Sequence, residues 1–125
     1  MKQVIQTTEA PLPIGPYSQA TMVGNMLFIS GQIALNPQTG EMVQADIEEE
    51  THRVMQNIGA ILQRAGMSYE NIVKTTIFVK NLENFSRINQ VYGSYFSSHF
   101  PARETVEVSR LPKDAQVEIS CIAVR

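Results

Sequence analysis

Little in this chain could be cross-linked, hold a metal or grip a phosphate backbone. Cys121 is the only cysteine, and His52 and His99 are the only histidines. A lone cysteine excludes an intrachain disulfide framework. On the apolar side of a strand it reads as a small buried hydrophobe in a reducing compartment. Two histidines at unrelated positions, with no cysteine or carboxylate spacing around them, do not make a zinc site, so no metal is expected. Lys and Arg number 10 against 12 Asp and Glu, for a net charge of -2. The basic residues are scattered, which leaves no electrostatic footprint for a nucleic acid. No run approaches the length of a membrane span, and Met1-Lys2-Gln3-Val4 lacks the apolar core of a secretory leader. A cytoplasmic protein with no membrane partner is expected.

What is present is the composition of an ordinary globular protein, 43% hydrophobic and 18% charged over 125 residues. That length supports one domain over residues 1–125, able to bury a core without staples. Val4-Ile5 is a short strand. It leads into Ala10-Pro11-Leu12-Pro13-Ile14-Gly15-Pro16-Tyr17, where three prolines and a glycine restrict the backbone yet deny it a regular element. Tyr17 either packs its ring there or offers its hydroxyl to a ligand. Ser18–Val23, the turn Gly24-Asn25 and Met26–Ile33 read as a hairpin. In its second strand Leu27, Ile29, Gly31 and Ile33 share one face, and Phe28, Ser30 and Gln32 the other. Gly31 in mid-strand marks a packing bulge or the close approach of another group.

Asp46 caps a helix whose first turn holds Glu48, Glu49 and Glu50 and whose apolar stripe runs from Ile47 to Ala65, with Gly66 as the stop. His52 lies off that stripe. Ile72–Lys80 is a strand, with Val73, Ile77 and Val79 on one side and Lys74, Thr76 and Phe78 on the other. A second helix from about Leu82 buries Phe85, Ile88, Tyr92, Tyr95 and Phe96. Asn89 sits at the edge of this stripe, placed to cap a backbone group or reach a cleft. His99 trails the helix end.

The last two strands read as a hairpin. Strand periodicity sets Arg103, Thr105 and Glu107 opposite to Val106 and Val108, and sets Gln116, Glu118 and Ser120 opposite to Val117, Ile119 and Cys121. The register that avoids facing Glu107 with Glu118 sets Thr105 across from Glu118, with Arg103 one diagonal step away. A guanidinium, a hydroxyl and a carboxylate then share one patch. Taken alone, the commoner outcome for such residues is an exposed ion pair worth about 0–1 kcal/mol. Strands, helix, strand, helix and hairpin make an α+β fold with both helices on one face of a mixed sheet. The other face, carrying Phe28, Ser30, Thr76, Phe78, Thr105, Glu118, Ile122 and Val124, is too apolar for water, and a homo-oligomer is expected to cover it.

Ile14-Gly15-Pro16-Tyr17, Ser30-Gly31-Gln32, Asn36-Pro37, Val73-Lys74-Thr75-Thr76, Phe78-Val79-Lys80, Phe100-Pro101-Ala102-Arg103, Leu111-Pro112-Lys113-Asp114 and Val117-Glu118-Ile119 together resemble the RidA (YjgF/L-PSP) family over nearly the whole chain. The resemblance implies a chorismate-mutase-like fold, a homotrimer and a site in each cleft between subunits. It implies an enamine/imine deaminase that converts 2-iminopropanoate and 2-iminobutanoate to 2-oxo acids and ammonia without a cofactor. These substrates are released by pyridoxal-phosphate-dependent serine and threonine dehydratases. By position, Arg103 is the carboxylate clamp and Glu118 the acid that positions water. Tyr17, Ser30, Gly31 and Asn89 line the cleft. Thr105 stands where the family often has cysteine. The rival readings are a non-catalytic small 2-oxo acid sensor, and a ribonuclease or chaperone role, for which no basic groove with stacking aromatics is present.

Overall fold

The structure is a computed structural model that describes residues 1–125. Six strands form one mixed sheet: β1 (Gln3–Ile5), β2 (Ala20–Val23), β3 (Met26–Gln32), β4 (Ile72–Val79), β5 (Ala102–Glu107) and β6 (Val117–Val124). Their spatial order is β1-β2-β3-β6-β4-β5. Helices α1 (Ile47–Arg64) and α2 (Phe85–Gly93) cover one face, α1 resting on β3 and β6 and packing against α2. The expected α+β architecture is present. No helix is long and apolar enough to cross a membrane.

Local chemistry accounts for the element ends. The Asp46 side chain accepts from the Glu49 N–H at 2.8 Å, while three glutamates favour the positive end of the α1 dipole. Gly66, at φ 74, takes the left-handed position that stops the helix. Gly24, at φ 59, does the same for the β2–β3 turn. The α1 residues Val54, Met55, Ile58, Ile61 and Leu62 are sealed against Leu27, Ile119 and Ala123 of the sheet. Cys121 belongs to the same layer, and its burial pushes the thiol up to about 12.

Three expectations are corrected. First, β5 and β6 do not form a hairpin: β6 pairs antiparallel with β3 and β4, and β5 pairs in parallel with β4 at the sheet edge. The β4-α2-β5 crossover supplies the parallel strand. The strand with the most continuous apolar face, Val117, Ile119, Cys121 and Ala123, takes the central position under α1. Second, the faces of β5 are reversed. Val106 is 43% exposed, while Arg103, in register with buried Thr75, lies on the helix side, as does Thr105 in register with Ile77. Third, two bulges break the strand parity. In β3, Ser30 and Gly31 together face Ser120, so Gln32 turns inward and is buried. In β4 the extra residue is Val73, which turns outward.

The start of β6 is fixed from inside. Glu50, 1% exposed, accepts from the Gln116 N–H at 2.7 Å. Burial raises its pKa. Glu50→Ala leaves the Gln116 N–H unsatisfied and is expected to cost about 1–3 kcal/mol in urea unfolding. Because folding favours the protonated form, the Glu50 contribution is largest below the unfolded carboxyl pKa of about 4.3 and falls as pH rises through the higher folded value. The stability difference between the native chain and Glu50→Gln should shrink across that window, and a flat difference would contradict the assignment.

Candidate functional site

The loop before β2 is held by one buried side chain. Gln19, 1% exposed, accepts from the Thr7 N–H at 2.8 Å and donates to the carbonyls of Thr7, Ala10 and Pro11 at 3.0, 3.2 and 2.8 Å. These bonds fix Pro11–Tyr17 as one wall of a cleft of about 430 Å³. Opposite are the β3 bulge and the Pro112-Lys113 turn. Lys113 and Asp114 both adopt positive φ, at 54° and 55°, a conformation that costs energy outside glycine and collects at functional sites. Leu12, Ile14 and Leu35 make much of the lining apolar.

Tyr17, Ser30, Gly31 and Glu118 all line this cleft. Tyr17 is 52% exposed, with its ring against Gly15. The Ser30 hydroxyl donates to the Ser18 carbonyl at 2.6 Å, which anchors the bulge to the loop. Both readings of Gly31 hold. The bulge is there, and a Cβ on Gly31 would stand 2.8 Å from the Glu118 carboxyl carbon. Glycine is what lets the carboxylate lie on the strand. Glu118 is half-buried, and this desolvation raises its pKa with no cation or hydrogen bond to oppose it.

Arg103, Asn89 and Thr105 stand elsewhere. Glu118 and Phe78 are partners on the uncovered face, and Val106 lies beside the same Phe78. Arg103, at odd spacing from Val106, projects from the opposite face. The expected patch of guanidinium, hydroxyl and carboxylate is therefore absent within one chain, because β4 separates the two strands and the parity differs. Arg103 instead rests on α2. Its Nη1 donates to Asn89 Oδ1 at 2.6 Å, and its guanidinium carbon lies 5.4 Å and 5.2 Å from the ring centroids of Phe85 and Tyr92. Beside it, Thr105 Oγ1 is buried without a hydrogen-bond partner, in a shallow hollow lined by Leu82, Phe85 and Arg103.

The remaining polar groups do not build a second centre. His52 Nδ1 lies 2.8 Å from the Tyr95 hydroxyl on the outer surface, and no cluster of three His, Cys, Asp or Glu residues suits a metal. The sequence reading missed Gln19, Phe85 and Tyr92 as parts of the site and missed the Pro112-Lys113 rim. A glutamine just after the proline loop was the available signal for the first.

A mixed sheet with two helices on one face, and a carboxylate set over a strand glycine in a cleft, defines a two-layer α+β class. Comparison with known proteins narrows it. The family described as Endoribonuclease L-PSP matches residues 7–125. A RutC family protein of Pyrococcus abyssi is 53% identical over 124 residues, which cover 99% of this chain and 98% of that one. The 2-iminobutanoate/2-iminopropanoate deaminase of Escherichia coli K12 is 48% identical over 128 residues, covering 100% and 99%. Among solved structures, a conserved Rid family protein of Yersinia pestis superposes with a TM-score of 0.97 at 52% identity, covering all of both chains. Escherichia coli TdcF with bound serine superposes at 0.95 and 44% identity, covering 98% of each chain. This chain belongs to the RidA (YjgF/L-PSP) family.

Gly31→Ala should displace the flexible end of Glu118 rather than the backbone, leaving stability within about 1 kcal/mol of the native chain in urea unfolding. The Glu118 pKa, followed by carboxyl NMR, is expected to move back toward the ordinary glutamate range as the group is pushed into water. An unchanged Glu118 titration would show that the close approach has no role.

Proposed function

We propose that the protein is a 2-iminobutanoate/2-iminopropanoate deaminase whose site is completed between copies of the chain, in a homotrimer. One observation carries the reading. A half-buried carboxylate without a partner lies in a cleft on one side of the sheet, and a guanidinium with unused donors lies on the other. Two strand spacings and the sheet itself separate them, about 10 Å across, so a ligand the size of pyruvate cannot touch both within one chain. A second copy seated on the uncovered face with its β5 edge over the cleft would bring its Arg103 to this Glu118. It would also cover Phe28, 39% exposed, together with Phe78 and Ile122. The identity with a curated deaminase supports the same chemistry.

In this reading Nη1 of Arg103 stays on Asn89 while its free donor edge takes the substrate carboxylate through two parallel hydrogen bonds. Thr105 lines the hollow beside this edge. Tyr17, Ser30 and Gly31 shape the wall against which the imine carbon is held. Glu118 removes a proton from water as its oxygen adds to the protonated C=N carbon. The resulting carbinolamine collapses, expelling ammonia and leaving the 2-oxo acid. General base assistance of this kind typically contributes about 10²- to 10⁴-fold. The protonated imine is already electrophilic, so no cofactor enters. A pyridoxal-phosphate-dependent serine or threonine dehydratase is the proposed source of substrate, and a cytoplasmic setting belongs to the same reading.

Purified protein added to a threonine dehydratase reaction should accelerate 2-oxobutanoate release above spontaneous hydrolysis. Binding of 2-oxobutanoate with an unchanged rate would favour the sensor reading. Arg103→Ala and Glu118→Gln should each remove the acceleration without unfolding the chain. Mixing the two variants under subunit exchange should restore about one native cleft in three per mixed trimer. No restoration after verified exchange would contradict a shared site. Because Glu118 must be ionised to act as base, kcat/KM should fall on an acid limb. Its position reflects burial, which raises the Glu118 pKa in the single chain, and the neighbouring copy's Arg103, which opposes that rise. An acid limb left unmoved by Glu118→Asp would sink the assignment of Glu118 as base.

A further inference from the structure

Arg103 is exposed, yet its head is not free. Three residues of α2, Phe85, Asn89 and Tyr92, sit beneath it at helical spacing. Tyr92 differs from the other two in being rooted in the core. It is 4% exposed, and its hydroxyl lies 2.8 Å from the buried Thr75 hydroxyl. Thr75 is also the register partner of Arg103 across the β4–β5 pair. The residue beside Arg103 in the sheet therefore fixes the ring on which the Arg103 guanidinium rests.

We infer that Tyr92, anchored by Thr75, is a positioning residue that orders the Arg103 guanidinium before substrate arrives. An arginine loses much rotamer freedom on being held in one geometry. A ring that holds the head over its π-face, with Asn89 taking Nη1, removes that loss from the binding step and leaves one donor edge presented. Phe85 supplies a second, half-buried ring, so its removal has the smaller effect. Tyr92 touches neither substrate nor water in this scheme and acts only through Arg103. The use of that edge rests on the reading of Arg103 as the carboxylate clamp, whereas the ordering of Arg103 does not.

The test has two arms. In the first, the Arg103 Nε–H resonance is assigned by its loss in Arg103→Lys, and its ¹⁵N heteronuclear NOE is measured with no ligand. A high value is expected for the native chain and for Tyr92→Phe, which keeps the ring. A lower value is expected for Tyr92→Leu and an intermediate one for Thr75→Val and Phe85→Leu. An Arg103 NOE unchanged by Tyr92→Leu overturns the inference. If that variant does not fold, Thr75→Val and Phe85→Leu carry the arm on the same criterion. In the second arm, Tyr92→Leu should weaken 2-oxobutanoate binding about three- to tenfold in calorimetry and raise KM more than it lowers kcat. In an Arg103→Lys background it should change binding less than twofold. Equal weakening in both backgrounds means that Tyr92 acts on the fold and not through Arg103, and overturns the inference. A native chain that neither binds nor turns over would defeat the deaminase reading, and the NOE arm would still decide whether Tyr92 orders Arg103.

Discussion

Everything about this site follows from β4 running between β5 and β6. Side chains alternate along a strand and neighbouring strands keep that alternation in register. Once Phe78 pairs with both Val106 and Glu118, Arg103 is committed to the helix face and Glu118 to the bare one. No rotamer of either side chain undoes this. The distance between the two groups within a chain is thus a consequence of topology.

Each half of the site carries a cost that the isolated chain leaves unanswered. A carboxylate half-buried without a partner is disfavoured in its charged form, as its raised pKa records. A buried hydroxyl with no partner, Thr105, is similarly unsatisfied. The sheet face around Glu118 adds apolar surface from Phe28, Phe78 and Ile122. In the proposed trimer the first deficit is met as the sheet is covered, because a neighbouring copy seated on the bare face removes apolar area from water and sets its edge strand β5, with Arg103, against the cleft that holds Glu118. Other polar groups need no such rescue. Gln19 and Glu50 are buried, but their hydrogen bonds to loop and strand backbone are made within the chain.

The sequence was most readable where periodicity and end signals agreed. The α1 stripe with its Asp46 cap and Gly66 stop, and the β2–β3 hairpin with its Gly-Asn turn, are local patterns that the structure repeats. The pairing of β5 was not readable in the same way. Two strands close in sequence suggest a hairpin, and nothing in Ala102–Glu107 says that a parallel partner, β4, takes the place of β6. That choice depends on which strand best fills the layer under α1, a property of the whole sheet. The bulge at Ser30-Gly31 was signalled by a glycine in mid-strand but its inversion of Gln32 was not, and the bulge at Val73 carried no signal, since one extra residue inverts parity without changing composition. Tyr17, Ser30, Gly31 and Glu118 converge on one cleft. Arg103, Asn89 and Thr105 form a second group on the helix side of the sheet.

The most direct test is a crystal structure of the protein with 2-oxobutanoate bound, read for which copies supply the contacts. The account predicts the ligand carboxylate on Arg103 of one copy, with its C2 carbon beside Glu118 of a neighbouring copy, where the β5 edge of the first meets the uncovered face of the second. A ligand held wholly by one chain, or bound at Arg103 with Glu118 open to solvent, would contradict it.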